Sequence, residues 1–460
     1  MTRTLGRCVG WWCTLATAAA QSGWQRMQPA TVPPARSDAQ VAYDLQRGVT
    51  IMFGGNAGVV AFRGDTWEWN GADWTARPTA QAPPARYGGA FAYDVYRGRA
   101  VLFGGLRAGS PLDASDTWEY DGSNWTQMAT TGPSARRFPA MAFDLVTGRM
   151  ILFGGALGLP ATVFSDTWAW NGITWQQLTP AHSPPARWLH SMVTDLRARV
   201  VLQGGSTSFS TTATIADTWL WDGTDWSNVP TATNPGLVDS FGMAFDSARG
   251  VPVMFGGAPA RNGTWLFAGD TWLLHAAPTL PAPRSACNIA YDVMRAKTVL
   301  FGGLNGFGVA LSDTWVYSAP VIGSWTAVGS GCAGSAGVPS LRPIANARPV
   351  VGTMFPLEVT NVVDGSVAIA TGLSNVVWQG VSLPVVMDAV GMPGCTVYTS
   401  IDFFDFVTAV GGRATFTLTV PASPALAGLQ FANQAVSFDP GANALGAVLT
   451  NSGFGIVGGI

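Results

Sequence analysis

The chain has 460 residues, of which 11% are charged, with a formal net charge of -2. That balance leaves no electrostatic footprint for nucleic acid and no basic segment for an anionic membrane surface. With 20 Trp and 23 Phe there is too much apolar area to remain unfolded, and 56 Gly suit short strands joined by tight turns.

The first residues read MTRTLGRCVGWWCTLATAAAQS. Arg3 and Arg7 precede an apolar run from Cys8, and small residues end in Ala18, Ala19 and Ala20. This is the layout of a secretory signal over residues 1–20, and it predicts a secreted or cell-surface protein. No later stretch holds about 18 uninterrupted apolar residues, so no membrane-spanning helix is expected.

A repeat follows. Gly-Gly doublets begin at Gly54, Gly104, Gly154, Gly204, Gly256 and Gly302, with steps of 46 to 52 residues. Each copy has the same parts. In the second, GGAFAYD (Gly88 to Asp94) alternates as a strand does, and RAVLFGG (Arg99 to Gly105) is apolar throughout, as for a strand buried on both faces. DTWEYDG (Asp116 to Gly122) gives a third strand closed by a Gly turn, and NWTQM (Asn124 to Met128) a fourth. Four antiparallel strands cannot shelter two apolar faces alone, whereas stacking such sheets around an axis buries both.

A unit of about 50 residues, with a Gly doublet after its second strand and Trp in its third, resembles the kelch repeat of the galactose oxidase central-domain-like superfamily. The resemblance implies an all-β, six-bladed propeller over residues 24–328. It implies nothing about a reaction.

Other positions keep phase. Asp44, Asp94, Asp144, Asp195, Asp246 and Asp292 close the first strands. Eight residues before them stand Arg36, Arg86, Arg136, Arg187, Val238 and Arg284. A guanidinium used alike in five copies is read as architecture, bonded to carbonyls or to a DTW carboxylate (Asp65, Asp116, Asp166, Asp217, Asp270, Asp313). The alternative is an anion-binding ring. The glycines point to positive φ or close strand approach.

Two copies are irregular. Copy five reads DTWLLHAAPTLPAPR from Asp270 to Arg284, which suggests a short or missing fourth strand. Trp24 lies twelve residues before Arg36, the separation of Trp74 from Arg86, so residues around Trp24 read as a stray fourth strand able to complete the last blade. SWTAV around Trp325 competes for that place, as a connector or an additional strand.

Residues 329–460 break the repeat. Alternating runs such as MFPLEVTNVV and ATFTLTVP suggest an antiparallel β-sandwich. The frame from GSGCAGSAG through GMPGC to FANQAVSFD resembles C-terminal modules of exported bacterial repeat proteins. Cys332 and Cys395 are expected to form a disulfide in an oxidising compartment, and Cys287 to be a core residue.

Chemistry-bearing groups are sparse. His182, His190 and His275 show no metal-ligand spacing, so neither a metal nor another cofactor is expected. Cys287, the one propeller cysteine, has no motif tying it to a tyrosine, as a copper oxidase of the galactose oxidase type needs. Glu68 and Glu119 occupy one repeat slot and are not an opposed glycosidase pair. No catalytic residue is assigned.

Loops after the second strand vary, whereas the turns on the other face are uniform, so recognition is expected on the variable face. The residue after the repeat Arg also varies: Ser37, Tyr87, Arg137, Trp188, Asp239, Ser285. Tyr87, Arg137, Trp188 and Asp239, with His190 two residues beyond Trp188, are the candidate ligand-binding rim. Aromatic, Arg and Asp side chains suit a glycan, and a protein partner stays open. The rivals are a polysaccharide-active enzyme using Asp239 and His190, and a structural envelope component.

Overall fold

The computed structural model describes residues 22–459 apart from 59–60, 110, 129–130, 159–161, 196, 210–212, 269, 321–322, 345–346, 376, 380 and 424–425. The expected secretory signal, with Cys8 and Cys13, lies outside the described residues. The chain divides into two compact units, Ser22–Ala319 and Pro320–Ile460. Among the described residues no helix is long and apolar enough to cross a membrane.

In the first unit the described residues form six four-stranded antiparallel sheets. Blade two shows the pattern, with Ala90–Asp94, Arg99–Phe103, Thr117–Tyr120 and Trp125–Gln127 running from inside to outside. The innermost strands are Gln40–Asp44, Ala90–Asp94, Ala140–Asp144, Ser191–Thr194, Gly242–Asp246 and Asn288–Asp292, and each adjoins the next in a closed cycle. The apolar clusters lie between blades. One joins Ile51 and Phe53 of blade one to Leu102, Tyr120 and Trp125 of blade two. A single sheet leaves such residues wet, so the ring and the blades form together.

The outer strand of blade six is Gly23–Arg26, paired with Thr314–Ser318. The ring is thus closed by a strand from the other end of the sequence. Each outer strand carries a Trp whose indole N–H donates to the first Thr of the third strand in the preceding blade. The pairs are Trp74–Thr314, Trp125–Thr66, Trp175–Thr117, Trp226–Thr167, Trp272–Thr218 and Trp24–Thr264, at 2.8–3.1 Å.

Blade five corrects the expected alignment. Its third strand is Thr264–Phe267 and its fourth is Trp272–His275. The fourth strand is therefore present. Trp272 is the outer-strand Trp, and Asp270 is not the repeat carboxylate. That place, before Thr264, is held by Gly263.

In the other five blades the repeat Arg is fully buried and grips the repeat Asp with both terminal nitrogens at 2.5–2.9 Å. Its first terminal nitrogen also donates to the carbonyl of Gly54, Gly104, Gly154, Gly204 or Gly302. Nε donates to a carbonyl two residues earlier. The indole of the adjacent Trp caps the same carboxylate. Burial alone would raise these carboxyls, but the arginine bonds outweigh it and hold Asp65, Asp116, Asp166, Asp217 and Asp313 below the ordinary range. The first glycine of each doublet has φ between 59° and 78°, and a Cβ there would lie no farther than 2.8 Å from a carbonyl oxygen of the next blade. Only glycine permits that approach.

In the second unit a five-stranded and a three-stranded sheet enclose one core built on Phe355, Leu357, Ile369, Phe416 and Phe431. The expected boundary at residue 328 is corrected. Ser324–Val328 pairs with Ala447–Ile456 as the outer strand of the five-stranded sheet, because the matching place in blade six is taken by Gly23–Arg26. The Trp325 indole lies over Gly453, where any Cβ would collide with it. Cys332 and Cys395 form a disulfide with 63 residues of separation. In the chain-entropy treatment that closure stabilises by ~4 kcal/mol. A Cys332→Ser, Cys395→Ser variant is expected to lose about that much in urea unfolding of this unit, and a loss under 1 kcal/mol contradicts the assignment of the bond as its main staple.

Candidate functional site

Two residues beyond the repeat Arg position, every blade places a residue in the left-handed region. These are Asp38 (φ 49°), Gly88 (61°), Phe138 (52°), Leu189 (59°), Ser240 (54°) and Ala286 (51°). For the residues other than Gly88 this costs about 1 kcal/mol or more each. A closed ring of backbone hydrogen bonds holds them there. Asp38 N–H donates to Ala286 (2.8 Å), Ala286 to Ser240 (2.7 Å), Ser240 to Leu189 (3.1 Å), Leu189 to Phe138 (3.2 Å), Phe138 to Gly88 (2.6 Å), and Gly88 back to Asp38 (3.2 Å). The six residues frame an axial cavity of about 80 Å³, which His190, Cys287 and Asn288 also line.

The preceding residue in each blade bonds to the variable loop that follows the second strand. Ser37 faces Asn56, Tyr87 Leu106, Arg137 Ala156, Trp188 Ser206, Asp239 Ala258 and Ser285 Leu304. The variable loops and the lead-in segments thus meet at one mouth around the axis.

Four of the five rim candidates lie at this mouth. Half-buried Tyr87 and Trp188 belong to a chain of rings across four blades: Phe62–Tyr87 at 5.4 Å, Tyr87–Phe138 at 6.0 Å, Phe138–Trp188 at 5.7 Å and Trp188–Phe209 at 4.1 Å. The last pair is stacked, and Phe209 is 42% exposed. Arg137 is bound by both oxygens of Asp113, at 2.6 and 2.8 Å. Asp239 accepts from the Ser240 and Thr214 hydroxyls, and burial raises its carboxyl despite them. Burial likewise raises the Tyr87 phenol, and the charge of neighbouring Asp38 adds to the effect.

His190 is a correction. Its ring is buried, stands edge-on to Phe153 at 5.7 Å, and has no hydrogen-bond partner for either nitrogen among the described residues. Burial, then the Arg187 charge, holds it well below the ordinary range, so it is neutral. Strand alternation places it beside Trp188, but the left-handed backbone at Leu189 reverses the alternation and turns the imidazole inward. Among the described residues Asp239 and His190 share no hydrogen bond.

Sequence reasoning missed Phe62, Asp38, Phe138 and Phe209. The signal for two of them was available, because the position two beyond the repeat Arg varies as much as the one before it. Glu68 and Glu119 are buried within blades, the first held by Arg47 and Arg77, the second by Arg97. Cys287 is a buried free cysteine whose thiol burial pushes up to about 11. Among the described residues no group of three or more His, Cys, Asp or Glu is placed to hold a metal ion.

The sheets, the glycine doublets and the cyclic arrangement define this unit as a kelch-type β-propeller. The family model described as the KLHDC2/KLHL20/DRC7 Kelch-repeats domain matches residues 12–205. Among solved structures the chain is similar to one titled "Structure of YjhT", at 12% identity and a TM-score of 0.49, with 64% of this chain and 96% of that chain covered. No curated protein matches the sequence.

Proposed function

We propose that this protein is exported and binds a glycan through the variable-loop mouth of its propeller, without catalysis. The observation that carries the reading is the chain of five rings from Phe62 to Phe209, partly open to solvent and flanked by Arg137, Asp113 and Asp239. Sugar rings stack on aromatic faces, and their hydroxyls bond to fixed carboxylate and guanidinium groups. A peptide is less well served. The lead-in segments bond to the variable loops in all six blades, so among the described residues those edges are already paired and not open for a backbone to join. Export is supported by the charged and apolar residues of 1–20 and by the Cys332–Cys395 disulfide. On this reading residues 1–20 are removed, the propeller binds, and the unit from Pro320 is a separate module.

The test is a glycan array with wild type and a Tyr87→Ala, Trp188→Ala variant. Truncating two central rings is expected to weaken the strongest glycan signal at least thirtyfold, on the order of 2 kcal/mol. The thermal midpoint should stay within a few degrees. Undiminished binding by the variant rules out the mouth as the site.

A further inference from the structure

The axial cavity holds one acidic side chain, Asp38, and no counter-charge. The Asp38 carboxylate accepts a hydrogen bond from Ser37 Oγ at 2.9 Å and makes no ion pair among the described residues. The other titratable groups lining the cavity, His190 and Cys287, are neutral for the reasons given above. Among the described residues no arginine lines the cavity, and of those on this face Arg137 is bound to Asp113 and Arg261 to the carbonyls of Pro235 and Leu237 at 3.2 and 2.9 Å. Arg36 is held by Asp65. Burial pushes the Asp38 carboxyl up to about 7, so near neutral pH it stands between its neutral and charged forms, and a cation beside it would hold it ionised. Asp38 has its backbone fixed at the axis by the ring of hydrogen bonds, and Phe138 and Phe241 line the same cavity. The Tyr87 phenol responds to its charge, and Phe138 lies 6.0 Å from Tyr87.

We infer that the glycan unit seated at the axis carries a protonated amine, so the ligand is an amino-sugar glycan whose ammonium enters the cavity against Asp38. This rests on the glycan reading above. The ammonium supplies the missing counter-charge through a charge-assisted hydrogen bond, and the Phe138 ring on the cavity wall adds cation–π attraction. Space agrees. The cavity of about 80 Å³ exceeds the ~10–15 Å³ that one water needs, which admits an ammonium and its adjoining carbon. The rest of the sugar lies outside, along the chain of rings.

The experiment is titration calorimetry at pH 7 with glucosamine tetramer, N-acetylglucosamine tetramer, cellotetraose and tetralysine. Wild type is expected to bind the glucosamine tetramer at least tenfold more tightly than the acetylated or neutral tetramers. Asp38→Asn, which suits a left-handed backbone, is expected to erase that difference. Equal affinity of wild type for charged and neutral tetramers overturns the inference and leaves the glycan reading standing. A preference that survives Asp38→Asn also overturns it. Tighter binding of tetralysine than of any glycan overturns the amino-sugar assignment, and absence of glycan binding overturns both readings.

Discussion

A chain that begins at Gln28 is expected to fail to fold its propeller. The four residues Gly23–Arg26 fill the outer edge of Thr314–Ser318 in blade six. Trp24 is 4% exposed, packs on Phe255 at 4.6 Å and Tyr317 at 5.0 Å, and donates to Thr264 Oγ1 at 2.8 Å. The same Trp–Thr bond recurs between all neighbouring blades, so the strand is one of six equivalent seams and not a trailing end. Trp24→Ala alone is expected to cost ~3–5 kcal/mol from lost packing and the cavity left behind. Against a typical total of about 5–15 kcal/mol, removal of the whole strand consumes most of the stability and bares a sheet edge that invites association. Urea unfolding followed by Trp fluorescence measures the first effect, and gel filtration the second. A monomeric truncated chain, or a Trp24→Ala loss under 1 kcal/mol, shows that the ring closes without this seam. Trp325→Ala is the internal comparison, since its strand belongs to the second unit and should leave the propeller transition where it is.

The closing strand was legible because the repeat prints nearly the same spacing at each seam, twelve residues from an outer Trp to the next repeat Arg position in all but the Trp125–Arg136 seam, where it is eleven. The glycine doublets were legible for a similar reason, since one backbone clash recurs in every blade. Copy five was misread because AGDTW, ending at Trp272, imitates the third-strand motif, whereas the true third strand starts at Thr264 without its Asp. A physical clue was present in the text. Val238 replaces the repeat Arg, and a carboxylate whose partner is gone has no reason to remain buried. The mouth was half legible. Variation marked Tyr87 and Trp188, but the left-handed ring could not be read, because five of its six members are not glycine. With that ring unseen, His190 was placed outward and Asp38 was passed over.

Blade five also supplies the second large prediction, concerning the buried arginine pairs. Arg136→Met is expected to destabilise the propeller by ~3–5 kcal/mol, because Asp166 then stays partly buried without its cation. Asp166→Gly is expected to cost a similar amount, since it strands a guanidinium that is fully enclosed. The two together should cost much less than their sum, although the carbonyls of Ser134 and Gly154 and the Trp168 indole lose a partner. Blade five already carries the apolar solution, Val238 opposite Gly263, and the converse exchange can be made there. Val238→Arg alone buries an unpaired charge and should be the most damaging single change of the set. Adding Gly263→Asp should recover most of that loss. A Cβ at Gly263 lies 3.1 Å from Trp265 Nε1, the donor that caps the carboxylate in the other blades, and its backbone needs no positive φ. In a double-mutant cycle by urea unfolding the coupling is expected at about 2–3 kcal/mol. Additivity within about 0.5 kcal/mol in both blades means the pairs act as independent hydrogen-bonding groups. The joint absence of Arg and Asp from blade five would then need a cause other than their charge.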